Sequence, residues 1–235
     1  MIYRMVLILM LAMLAPVARA EQAAPLRLNN IPLDMPREEP LAGEYLEGIF
    51  QEKLMARLID SVGIAWPSYH IRSTLRPAGA VAAGGNETDE PERMEIYFSG
   101  RDDGERIFWI RTRRPLDGTA DAEGIARTLT LIEQSFGRPA RTLSDPALPG
   151  SVLLLFVDPT LSAEARARQI AALPASLSID DFREFWAMGL ADRARLLGRD
   201  FRGAIAILTS GGGRLHGLQL ELLDLTRAQS VFTLR

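Results

Sequence analysis

Two histidines, His70 and His216, a single lysine, Lys53, and no cysteine bound the chemistry open to this chain. Without cysteine there is no disulfide, no thiolate metal site, no Cys nucleophile and no cysteine for lipid attachment, so the chain is not a lipoprotein and its core alone must hold it together. A zinc site takes three or four N, S or O ligands. With no His-Glu-x-x-His run, both histidines would have to meet two carboxylates across a sheet, so the sequence implies no metal and no cofactor. Ser210 is the serine most like a poised nucleophile, and His216 is its nearest base. A hydrolase built on Ser210 is therefore the enzymatic alternative. It lacks a Gly-x-Ser-x-Gly elbow, and a serine beside glycine is ordinarily a turn residue. The carboxylate pairs Glu38-Glu39, Asp102-Asp103 and Asp180-Asp181 fall in linker, turn and cap contexts, where a structural role is expected.

Gly211-Gly212-Gly213 is the one stretch that resembles a ligand loop. A P-loop needs Gly-Lys-Ser/Thr opening a helix, whereas Arg214 and Leu215 follow here. The dinucleotide pattern of spaced glycines is absent too. Leu218, Leu220 and Leu222 then alternate with Gln219 and Glu221, and Ile205 and Ile207 alternate before the glycines. This rhythm predicts a second hairpin with the glycines at its tip, where φ > 0 costs glycine nothing. Leu215, Leu218, Leu222 and Leu225 also fit a helix, which would make the glycines a strand-to-helix loop.

The best binding site in the sequence is a set of basic residues. Arg111 and Arg113 stand two apart at the end of a predicted strand and share one face. If the strand of His70 and Arg72 lies beside them, the four form a shallow patch whose planar guanidinium forks suit a carboxylate or phosphate. Such arginines are otherwise solvated or paired with acids such as Glu95. Trp66, Trp109, Phe182, Phe185 and Trp186 have the strand or helix spacing of core residues.

The elements that would position these residues follow from periodicity. Leu46, Phe50, Leu54 and Leu58 predict a helix from about Ala42 to Val62, and Tyr69, Ile71 and Leu75 alternate as a strand. Residues 77–92 read as a mobile loop containing an Asn86-Glu87-Thr88 sequon. Two β-rich runs flank Asp103-Gly104, a hairpin turn pair; the consecutive apolar residues Ile107 to Ile110 place the second strand centrally. Ile125, Leu129, Ile132 and Phe136 predict a helix with Asp121 as N-cap and Gly137 past its end. Val152 to Val157 read as a strand buried on both faces. Helices are expected at Ala163–Leu173 and from Ser178 to Leu197 with a break at Gly189, and a last strand at Ser230–Leu234. The sum is an α+β fold: a mixed, mostly antiparallel sheet built from hairpins and packed on one side by amphipathic helices.

Residues 1–20 have the layout of a secretory signal peptide: Arg4, an apolar run from Met5 to Ala15, Pro16, then Ala18-Arg19-Ala20 before Glu21. The run is shorter than the ~20 residues of a membrane span, so no stable span remains after cleavage; an uncleaved anchor is the alternative. Prolines at 25, 32, 36 and 40 predict an extended leader over 21–41, ahead of one α+β domain over 42–235. The net charge of −3 becomes more acidic once Arg4 and Arg19 are removed, which argues against nucleic-acid partners. These features together predict an exported, periplasmic or extracellular protein of the binding or accessory kind. Its expected partner is an envelope protein or a small anionic ligand.

Overall fold

Eight strands form one sheet in which every pairing is antiparallel: β3 (Ile49–Ile59), β4 (Ala65–Leu75), β5 (Glu92–Phe98), β6 (Ile107–Thr119), β7 (Arg141–Ser144), β8 (Val152–Val157), β9 (Arg202–Gly211) and β10 (Arg214–Asp224), in the order β3-β4-β5-β6-β10-β9-β8-β7. A separate pair joins β1 (Arg27–Leu28) to β2 (Ile31–Pro32). Among the described residues the helices are α1 (Ala122–Phe136), α2 (Ala163–Ala172), α3 (Leu190–Leu197) and α4 (Leu225–Ala228). This computed structural model describes residues 23–28, 31–36, 49–59, 65–75, 92–100, 103–145, 148, 150–176, 185 and 188–229; over 49–59, 65–75, 92–94 and 117 the description is of the backbone. The predicted signal peptide, the loop at 77–91, most of 178–187 and the last strand at 230–234 lie outside the described residues.

Helices cover both faces of the sheet, not one. On the first face α1 packs Ile132 and Phe136 against Leu154, Phe156, Ala206 and Leu208. On the second, α3 packs Leu190, Ala194 and Leu197 into a core with Leu153, Leu155, Ile205, Ile207 and Leu223. Val152–Val157 is buried at every position because its alternate residues feed both cores. Close packing also explains Gly203. A Cβ there would lie 1.9 Å from the Phe156 carbonyl oxygen, so β8 and β9 approach as they do only across a glycine.

Local signals in the sequence produce the expected α1. The Asp121 carboxylate accepts from the Gly124 amide at 2.7 Å, and Gly137 ends the helix at φ 81°. The β5–β6 hairpin forms with its positive φ at Gly104 and Glu105, one residue later than the Asp103-Gly104 pair suggests. An extra residue at Phe108 breaks the register between Phe98↔Ile107 and Tyr97↔Trp109. Ile107 and Ile110 therefore enter the first core while Phe108 and Trp109 enter the second.

Two further expectations are corrected. Residues 49–59 form strand β3, not a helix. Phe50, Leu54 and Leu58 recur every four residues, and four is also an even number, so the same spacing keeps them at equivalent positions of a strand. The Pro-spaced segment read as a leader instead contributes Leu26, Leu28, Ile31, Leu33 and Met35 to the first core, so the folded unit begins before Ala42. Its backbone is stitched to β6: Asp34 N donates to Ile107 O at 2.9 Å, and Ile107 N donates to Met35 O at 3.0 Å.

Candidate functional site

The glycine stretch forms the hairpin tip. Gly211 pairs with Arg214 across a two-residue turn in which Gly212 and Gly213 have φ 57° and 77°, as a type I′ turn requires. No helix follows, so the strand-to-helix loop is set aside. The residues of the hydrolase alternative have hydrogen-bond partners within the fold. Ser210 is buried on β9 with its Oγ 3.3 Å from Ser151 Oγ, and Ser151 Oγ accepts from the Ser210 amide at 3.0 Å. His216 is the extra residue of a bulge in β10, and its Nε2 lies 3.0 Å from the Gly211 carbonyl oxygen. His70 is on β4, four strands from β9, or roughly 19 Å at ~4.8 Å per strand.

A buried polar cluster lies on the second face of the two central strands. Glu221 of β10 is fully buried. Its carboxylate accepts from Trp109 Nε1 at 3.1 Å, from Arg193 Nη2 at 3.0 Å and from Gln219 Nε2, with Arg111 Nε at 3.4 Å. Arg193, also fully buried, descends from α3, donates its Nε to the Met188 carbonyl at 3.2 Å and stacks over Phe185 and Trp109. Burial holds the Arg193 guanidinium below its ordinary pKa, while the Glu221 carboxylate works to raise it and Arg111 to lower it. A carboxylate so enclosed by donors is an anchor for α3 rather than a free acid or base.

A second charged cluster closes one end of the sheet. Arg202 Nε binds Asp158 at 2.7 Å, and its Nη1 binds Asp34 at 2.6 Å and Asp224 at 2.9 Å; Arg227 binds Asp34 at 2.7 Å and Asp103 at 2.5 Å. Burial alone would lower the pKa of Arg202, but its hydrogen bonds to Asp158 and Asp34 and the nearby charge of Asp224 raise it well above the ordinary value. Four acids and two arginines here tie the N-terminal segment, through Asp34, to β8, β9 and β10. Among the described residues no group of three or more His, Asp or Glu is placed to hold a metal ion.

The predicted basic patch is rearranged. The strand of His70 and Arg72 does not neighbour the strand of Trp109, because β5 runs between them. Three register rows cross β4, β5, β6 and β10: His70–Tyr97–Trp109–Leu223, Arg72–Glu95–Arg111–Glu221 and Thr74–Arg93–Arg113–Gln219. Arg72 and Arg111 thus both stand opposite Glu95, in a row of alternating sign. Arg113, which is exposed, stands opposite Arg93. Spacing alone does not point to Arg93. Counting back from the hairpin turn finds it only if the extra residue at Phe108 is known, since without that bulge Arg93 would be placed opposite Thr112. Glu221 had a plainer signal, an acid within the apolar run Leu220–Leu223.

Among the described residues no helix is long and apolar enough to cross a membrane. Comparison of the chain with protein-family models, with curated proteins and with solved structures found no match.

Proposed function

We propose that this chain is an exported, non-enzymatic module of the cell envelope or periplasm that binds a partner protein or a small anionic ligand on the basic block of β4, β5 and β6: Arg72, Arg93, Arg111 and Arg113, with His70 one row away. The observation that carries the reading is the register pair Arg93–Arg113. Two arginines at directly opposed register positions concentrate positive charge on this part of the sheet, and the planar donor fork of a guanidinium suits a carboxylate or phosphate. The polar groups nearest to a catalytic set support a binding role, because their hydrogen bonds serve the fold: Ser210 with Ser151, His216 with Gly211, Glu221 with Arg193. Export rests on the layout of residues 1–20.

The test is affinity capture from the native envelope extract, run with the wild-type chain and with Arg113→Ala, followed by elution in steps of rising salt. The expected result is a partner held by the wild type, released by salt, and lost or weakened in the variant while the melting temperature stays the same. Identical capture by both proteins would remove the block from consideration. An intact mass that shows the exported form beginning at Glu21 checks the compartment independently.

A further inference from the structure

β7 is the edge strand at the end of the sheet away from the basic block; among the described residues it pairs only with β8. Beside it runs an open groove of about 650 Å³, lined by Glu133 at the end of α1, by the chain from Gly137 to Thr142, and by Ala175 just after α2. The groove thus meets the sheet edge at the start of β7, at Arg141 and Thr142, between the end of α1 and the residues after α2. One polar atom in its wall stands out: Arg141 Nε is buried and has no hydrogen-bond partner. A buried N–H without an acceptor is unfavourable, so an acceptor delivered by a ligand has a donor waiting for it. Arg138 adds a second, exposed guanidinium to the same wall.

We propose that this groove receives an extended segment of a partner polypeptide, which adds to β7 as a further strand and sets an acidic side chain against Arg141 and Arg138. An edge strand offers N–H donors and C=O acceptors in alternation, which a polypeptide backbone matches and a phosphate, having acceptors only, does not. The two arginines select an acid. Glu133 lines the same groove and disfavours a second acid in the segment. This mode is β-strand addition, in which main-chain hydrogen bonds supply affinity and side-chain pockets supply the choice of partner. It stands apart from the basic block, and either site can fail without the other.

The test uses the full chain and three fluorescein-labelled peptides, Thr-Val-Glu-Val-Thr-Val and its versions with Gln or Lys in place of Glu, read by fluorescence anisotropy. The Glu peptide is expected to bind about tenfold more tightly than the Gln peptide and more tightly still than the Lys peptide. Arg141→Gln should erase the preference. A fourth probe, the Glu peptide methylated on alternate backbone amides, should lose binding to the wild-type protein; it keeps the proposal falsifiable if the variant does not fold. Equal affinity for the Glu, Gln and Lys peptides, undiminished binding of the methylated probe, or no binding of any peptide at millimolar concentration would overturn it.

Discussion

The two charged clusters solve the same problem in opposite ways. At Glu221 one carboxylate, fully buried, is shared by Arg193, Trp109, Gln219 and Arg111 in the interior of the second face. At the end of the sheet two arginines, about one-fifth exposed, are shared by Asp34, Asp103, Asp158 and Asp224. The first has no redundancy in its acid and no water to replace it. In the second each arginine keeps other acids when one is removed, and solvent reaches the rim. The difference teaches that the consequence of losing a charge depends on what is left behind uncompensated, not on how many ion pairs a cluster contains.

That contrast can be broken most forcefully by removing what the rim cluster holds. A chain beginning at Ala42 lacks the five buried side chains of Leu26, Leu28, Ile31, Leu33 and Met35, each worth about 1.5–3 kcal/mol in transfer free energy as an upper bound. It should fail to fold cooperatively, whereas a chain beginning at Glu21 should melt like the full one; near-ultraviolet circular dichroism during heating separates the two outcomes. Next in size is Glu221→Gln, which leaves Arg193 buried without a counterion and should cost about 3–5 kcal/mol in urea unfolding. Asp34→Asn should cost only about 1 kcal/mol or less, because Arg202 keeps Asp158 and Asp224 and Arg227 keeps Asp103. Asparagine also tolerates the φ of 67° at that position, so the substitution adds no backbone strain and removes the charge together with one of the two carboxylate acceptors. Raising ionic strength should then shrink the Asp34→Asn effect and leave the Glu221→Gln effect nearly unchanged, since screening acts on exposed charges. Smallest of all is Arg113→Ala, exposed on β6, whose unfolding midpoint should match the wild type within error.

Sequence reading succeeds where one residue type has one structural consequence. Asp121 and Gly137 bound α1, and the paired glycines Gly212-Gly213 turn the β9–β10 hairpin. It fails where a pattern is shared by two structures. The four-residue spacing of Phe50, Leu54 and Leu58 serves strand and helix alike, and the prolines of the N-terminal segment hide an apolar series, Leu26, Leu28, Ile31, Leu33, Met35, that belongs to the core. The candidate site was legible in its residue types more than in its pairing. Arg111 and Arg113 were found, but their partners Glu95, Glu221 and Arg93 depend on a bulge and on the strand order. The Arg193–Glu221 contact joins a helix and a strand through packing of the second face, which no local spacing encodes.

The central claim is that the enclosed acid on the central strands serves the fold. Urea unfolding of Glu221→Gln, Arg193→Met and the double variant Glu221→Leu/Arg193→Met tests this most directly. The account predicts that each single variant loses several kcal/mol, about 3–5, and that the double variant recovers much of the loss, because no buried charge is then left alone. Single variants as stable as the wild type, or more so, would contradict it. They would mark the cluster as a site maintained at the expense of stability for a function of its own.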